Sequence, residues 1–210
     1  MSDKCAEKGL LVVVSGPAGS GKGTVLSELL RDDAYRFSVS ATTRAPRPGE
    51  RDGVNYHFLS REAFCERIDS GDMLEYTEYC GNYYGTPRKE AEAVLSTGRN
   101  LILEIEAEGA GHVKEKFPDA VLIMLLPPSF TVQEARLRGR GTETEEKIAA
   151  RLAQTRNELP CVTRYDYVVY NKEGQIKEAA GQIDAIVKAE RCAVRRHPDI
   201  VADYFDNKQA

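Results

Sequence analysis

The sequence predicts an α/β fold in which a parallel sheet carries helices on both faces. Three features point to it. Four short apolar runs, at 10–15, 100–106, 120–126 and 166–171, are rich in valine, leucine and isoleucine, as strands buried on both faces are. Segments of helical patterning, each long enough to be a crossover, separate or follow them. A glycine-rich turn follows the first run without a break.

Composition sets the limits. The chain has 210 residues, 41% of them hydrophobic, and 29 Lys+Arg against 33 Asp+Glu leave a net charge of −4. A chain of this size buries about 70% of its unfolded surface, enough for one core and a small inserted lobe. Disorder and fibrous repeats are excluded, and a slightly acidic chain lacks the positive field of a dedicated nucleic-acid binder. The longest apolar run falls far short of the roughly 18 residues that cross a bilayer, and the opening MSDKCAEKG has no signal-type apolar stretch. A cytoplasmic protein with no membrane or nucleic-acid partner is expected. Cysteines at 5, 65, 80, 161 and 192 form no CxxC pair and have no histidine at metal-ligand spacing, so reduced structural thiols are expected.

Taken in order, LLVVVS at 10–15 is the first strand and 24–31 the first helix. From 36 to 86 the pattern changes: FSVSAT, VNYHF and MLEYTEYC alternate polar and apolar residues around one helix at 60–70. This reads as a mixed lobe inserted into the sheet. A helix at 87–97 follows, with Thr86 as its cap, Pro87 in its first position and Gly98 closing it. Strands at 100–106 and 120–126 come next, then helices at 130–138, capped by Ser129, and at 143–159. The strand at 166–171 and a helix at 174–191 complete the pattern, and residues 192–210 show no clear period.

The turn after the first strand reads Gly16-Pro17-Ala18-Gly19-Ser20-Gly21-Lys22-Gly23-Thr24 and opens a helix. Glycines let a backbone fold into a nest whose N–H groups converge on phosphate oxygens, and the helix N-terminus adds roughly half a positive charge. Lys22 then reaches the β- and γ-phosphates. Gly23 stands where a Ser or Thr usually offers its hydroxyl to Mg²⁺. Either Thr24 substitutes, or phosphates, waters and a more distant carboxylate hold the metal.

Residues 40–58 then match S-x-T-T-R-x-P-R-x-G-E-x-x-G-x-x-Y-x-F throughout, and the chain at this point resembles the guanylate kinases. The likeness continues through Met73-Leu74-Glu75-Tyr76, Gly81-Asn82-Tyr83-Tyr84-Gly85-Thr86 and the stretch from Arg136 to Arg151, covering about 9–190. It implies a P-loop NTPase-type core at about 9–37, 87–135 and 147–191, a GMP-binding lobe at about 38–86 and a mobile lid at about 136–146. Arg44, Arg47, Tyr56 and Tyr84 are then expected on the acceptor phosphate, and Ser40, Glu75 and Thr86 on the base. One carboxylate can accept both N1–H and N2–H₂ of guanine, whereas the N1 of adenine is an acceptor and would repel it. The resemblance puts Arg136, Arg140 and Arg151 at the family's arginine positions and Asn171 near the adenine. Glu104 and Glu106, two residues apart at a strand end, share one side and match a carboxylate pair that is more often aspartate. Glu104 would lie near the metal or its waters, and Glu106 nearer the guanosine.

The expected reaction is transfer of the γ-phosphoryl group of ATP to GMP, with Mg²⁺ bound to ATP, by a monomer or homodimer. An acceptor phosphate with a second pKa near 6 is largely dianionic at pH 7 and attacks without a general base. Catalysis then rests on positioning and on charge neutralisation by Lys22, Arg44, Arg140 and Arg151. His57, His112 and His197 are scattered and read as structural or exposed. Two rival readings are a non-catalytic module that binds phosphorylated partners and a kinase with another monophosphate preference. The intact Gly21-Lys22 pair and the lid arginines argue against the first, and Glu75 against the second.

Overall fold

The computed structural model describes residues 8–79, 81–139, 141 and 144–205. In chain order, β1 (Leu11–Ser15) leads into α1 (Lys22–Leu29) and β2 (Tyr35–Phe37). There follow β3 (Ala41–Thr42), β4 (His57–Phe58), α2 (Arg61–Asp69), β5 (Met73–Tyr79) and β6 (Asn82–Pro87). The chain continues through α3 (Arg88–Ser96), β7 (Asn100–Glu104), α4 (Ala107–Lys116) and β8 (Val121–Leu126). Next are α5 (Phe130–Gly139), α6 (Glu145–Glu158), a 3₁₀ segment Leu159–Arg164, β9 (Tyr167–Tyr170) and α7 (Ile176–Arg191). The described C-terminal end holds a 3₁₀ turn, Val194–Arg196, and α8 (Ile200–Phe205).

The core sheet has the order β2-β7-β1-β8-β9, and each of its pairings is parallel. Alternation along β1 separates two cores. Val12 and Val14 face α1 and α7, joined by Leu26, Ile102, Ile123 and Ile183. Leu11 and Val13 face the other way, onto Leu95 of α3 and Ala110 and Val113 of α4. Burying strands on both faces is why these runs read as continuous apolar segments.

A second sheet, β4-β3-β6-β5, is mixed, with β3 and β4 parallel and the other pairs antiparallel. Its small core is Ala41, Phe64 and Met73. Leu74 leaves that core and packs into the one beneath α3 and α4, fastening β5 to the body of the molecule.

Three local expectations need correction. Phe37 does not begin the lobe: Tyr35–Phe37 runs parallel to β7 as the edge strand of the core sheet, because Tyr35 is buried there and bonds Asp184 of α7. Thr86 does not cap α3. The N-cap is Pro87, which makes no side-chain cap, and the Thr86 hydroxyl is spent on Glu75. Finally, the crossover from β7 to β8 contains α4, which its two glycines and four charged residues conceal from a reading of periodicity.

Candidate active site

The loop between β1 and α1 closes tightly over the carboxyl ends of the strands, the usual ligand side of an open α/β sheet. A Cβ on Gly16 would sit 2.1 Å from the Leu125 carbonyl oxygen, and one on Gly21 (φ 86°) 2.3 Å from Asn171 Nδ2. Glycine at these two positions lets the loop lie against β8 and β9. Lys22 Nζ donates to Gly16 O at 2.5 Å, folding the ammonium over the loop it serves. The Ser20 hydroxyl is buried with no protein partner, a polar group facing inward in a turn otherwise built from backbone.

Side chains of α5 and of the residue after β9 brace this loop from behind. Arg136 of α5 donates to Asn171 O at 2.8 Å and to Gly19 O at 3.4 Å. Asn171, just after β9, donates through Nδ2 to Ser20 O at 2.8 Å. Buried Gln133 donates to Ala18 O at 2.9 Å and to Thr155 Oγ1 at 2.7 Å, linking α5, the loop and α6. In front of the loop lies a cavity of about 160 Å³ lined by Gly16, Pro17, Ala18, Lys22, Glu106, Arg151, Gln154 and Glu158. Arg151 therefore faces the cleft, while Arg136 and Asn171 support the loop. Thr24 is exposed and belongs to neither cavity lining. Arg140 lies outside the described residues.

A second cavity, of about 380 Å³, opens beside the first and shares Lys22 and Glu106 with it. Its walls include Ser40, Tyr56, Glu75, Thr77, Tyr84 and Glu104. Glu75 is 2% exposed. A β-bulge between Met73 and Glu75 breaks the alternation of β5, so Leu74 turns into the core beneath α4 while Glu75 faces the cavity. Opposite it in register, Thr86 donates its hydroxyl to Glu75 Oε1 at 2.7 Å. Helix α4 closes the far side, where a Cβ on Gly109 would lie 3.5 Å from Oε2. Burial pushes the Glu75 carboxyl up to about 7, against the opposing pull of Thr86, His112 and Lys116.

Glu104 ends β7, and Glu106 stands at the N-cap position of α4, so only the first lies in the strand. Both still line the second cavity. Desolvation by the cleft walls and the charge of Glu158 raise the Glu106 carboxyl, partly offset by Lys22 and Arg151. Arg44 and Arg47, expected on the acceptor phosphate, line neither cavity. Arg44 lies over the rings of Tyr56 and Phe58, 5.4 and 5.8 Å from their centroids, and Arg47 is exposed. A larger opening of about 680 Å³, around Leu10, Ala120 and Arg196, is at the opposite ends of the strands, away from the glycine-rich loop.

Similarity to known proteins agrees with this geometry. The family profile described as guanylate kinase matches residues 8–190. The chain belongs to the guanylate kinase family. It is 52% identical over 191 residues to a guanylate kinase of Halalkalibacterium halodurans, covering 90% of this chain and 93% of that one. It is 45% identical over 200 residues to one of Clostridioides difficile, covering 95% and 97%. A crystal structure of guanylate kinase from Anaplasma phagocytophilum superposes with a TM-score of 0.72 at 34% identity, over 90% of each chain.

Within this guanylate kinase fold, Ser40, Tyr56, Glu75, Tyr84, Glu104 and Glu106 share one cavity wall, and Gly16, Pro17, Ala18, Lys22 and Arg151 share the other. Thr86 joins through its bond to Glu75. Phe37, Asn55 and Thr77 also line the acceptor-side cavity, and Gln154 and Glu158 the donor side; sequence reasoning does not single them out. Phe37 alone carries a signal, as a large apolar side chain left exposed at the end of a core strand. Among the described residues no group of three or more His, Cys, Asp or Glu is arranged to cage a metal, and no helix is long and apolar enough to cross a membrane. Cys65, Cys161 and Cys192 are free.

Proposed function

We propose that the chain transfers the γ-phosphoryl group of ATP to GMP, giving ADP and GDP, with ATP on the glycine-rich loop and GMP in the lobe. The observation that carries this reading is the junction of the two cavities, whose linings share Lys22 and Glu106. Two bound phosphates would meet across Lys22, which is the geometry an in-line transfer needs.

Each side chain then has a task. Gly16 to Thr24 cradle the donor phosphates with backbone N–H groups, and Lys22 and Arg151 offset their charge. Arg136 and Asn171 hold the loop in shape beneath the nucleotide, and Arg140 comes from the lid. Arg44, Arg47, Tyr56 and Tyr84 grip the acceptor phosphate, and Ser40, Glu75 and Thr86 read the guanine edge. The dianionic acceptor attacks directly, with no side chain removing a proton.

Mg²⁺ suits this donor set. A small hard cation that keeps several waters needs few protein ligands when phosphates supply the rest. Glu104, at the cavity wall, would hold it through water, and the ion would neutralise the phosphate oxygens; Thr24, exposed and outside both cavity linings, is not placed to join it.

Lys22→Ala tests the reading. The wild-type chain is expected to form GDP from ATP and GMP. The variant should lose at least roughly 100-fold in turnover, while calorimetry still detects GMP binding, because Glu75 and the tyrosines are untouched. Loss of GMP binding along with transfer would contradict two separate phosphate sites.

A further inference from the structure

Arg44 and Arg47 belong to a loop that also contains an acidic residue, Glu50, which the reading above leaves without a task. Its surroundings are well defined. Arg44 Nη2 donates to both Glu50 oxygens, at 3.0 and 2.9 Å. The Arg47 backbone N–H donates to Glu50 Oε2 at 2.7 Å. The return bond, from Glu50 N to Arg47 O at 3.0 Å, closes a turn. Pro48 and Gly49 (φ 88°) occupy its two central positions. Proline followed by a residue at positive φ is the composition of a type II turn, so the chain is bent to bring residue 50 back toward residue 44.

The ion pair is not an ordinary surface contact. The side chains of Arg44 and Glu50 are 16% and 19% exposed, well below the exposed pairs elsewhere in the described chain. The guanidinium is held on its other sides as well. Nη1 donates to Ala45 O at 2.7 Å, the rings of Tyr56 and Phe58 lie against its face, and the Tyr84 hydroxyl is a further hydrogen-bonding neighbour. Tyr56 and Tyr84 line the acceptor cavity, whereas Glu50 does not. Arg44 does not line it either, so the ion pair borders the cavity through the two tyrosines.

We infer that Glu50 is a positioning residue for the acceptor phosphate: it fixes the Arg44 fork and the Arg47 backbone in one geometry, so that GMP meets a preformed clamp. This rests on the acceptor reading of the lobe. A long arginine side chain loses much of its rotamer freedom when fixed. A brace that orders it before the ligand arrives removes that cost from binding. A carboxylate beside the clamp also lowers the net positive charge there. The arrangement is therefore useful only if geometry outweighs the lost attraction, and this makes the idea decidable.

The test compares wild type, Glu50→Gln and Glu50→Asp by steady-state kinetics with both substrates, together with thermal melting. Glu50→Gln keeps an acceptor for the Arg47 N–H but removes one of the two bonds from Arg44 and the charge that strengthens the other. It should raise KM for GMP by about tenfold, the worth of a charge-assisted hydrogen bond, with KM for ATP within about twofold of wild type and an unchanged melting temperature. Glu50→Asp, which restores the charge, should recover part of the loss. Equal KM for GMP in Glu50→Gln and wild type would overturn the inference. Tighter GMP binding in Glu50→Gln would also overturn it, since Glu50 would then be a competitor of the phosphate. An inactive wild type would instead refute the acceptor reading itself.

Discussion

Glu75 shows how one residue's surroundings set both function and stability. A carboxylate buried to 2% exposure with its pKa pushed from 4.5 to about 7 opposes folding wherever it must ionise. In the unfolded chain it titrates near the ordinary 4.5. The stabilising effect of keeping it protonated is therefore complete below that value and is lost as pH rises through 7. The groups facing it are Thr86 from β6, and His112 and Lys116 from α4. A rise of this size corresponds to about 3 kcal/mol. Glu75→Gln removes the ionisation, so its melting temperature should gain on wild type progressively between pH 5 and pH 8. GMP use should fall in the same variant, because an amide cannot accept both guanine N–H groups. A stability difference that stays flat with pH would contradict the burial argument. Thr86 belongs to the same account, since its hydroxyl donates to Glu75 Oε1 and fixes the carboxyl group.

At the level of elements, α7 is fastened to the sheet by a polar clamp. Glu190, 3% exposed near its end, accepts from the Tyr167 hydroxyl at 2.5 Å, from Arg196 at 2.8 Å and from Arg195. Burial alone would raise its pKa, but the Tyr167 hydroxyl and the two arginines outweigh it and hold the carboxyl at about 2. This contribution is present above pH 4.5 and is lost as pH falls toward 2. Breaking such a buried pair costs about 3 kcal/mol, so Glu190→Ala should lower the melting temperature by roughly 6–12 °C. Turnover at 25 °C should hold, because the clamp is at the pole opposite the cleft; a parallel loss of kcat would contradict that separation. The same elements show what a sequence does and does not reveal. Strands β1, β7 and β8 are legible because burial on both faces leaves an almost continuous apolar run, whereas β9, expected to be buried likewise, is an edge strand that exposes Val168 and Tyr170. Helix α4 is not legible, since Gly109 and Gly111 weaken its pattern and four of its ten residues are charged. The bulge at Leu74 is equally hidden: it depends on where α4 packs, which no local pattern states.

For the whole molecule, the central feature is one cleft assembled from two sheets. The glycine-rich loop grows from the parallel sheet, the acceptor wall from the mixed one, and Lys22 and Glu106 line both chambers. The loop and the arginine motif are legible in the sequence because their chemistry is local: glycines, a lysine and a proline-stiffened turn within a few residues. Residues such as Gln133, Thr155 and Asn55 are not, because their roles arise from contacts between distant elements. On the proposed reading, buried Glu75 beside Thr86 selects a base with two adjacent donors, and that selectivity is the claim on which the rest depends. ADP release with ATP and Mg²⁺, compared across GMP, AMP, CMP, UMP and dTMP, tests it most directly. Strong turnover with GMP and little with the other four is the predicted result; preference for a different acceptor, or no transfer to any of them, would contradict it.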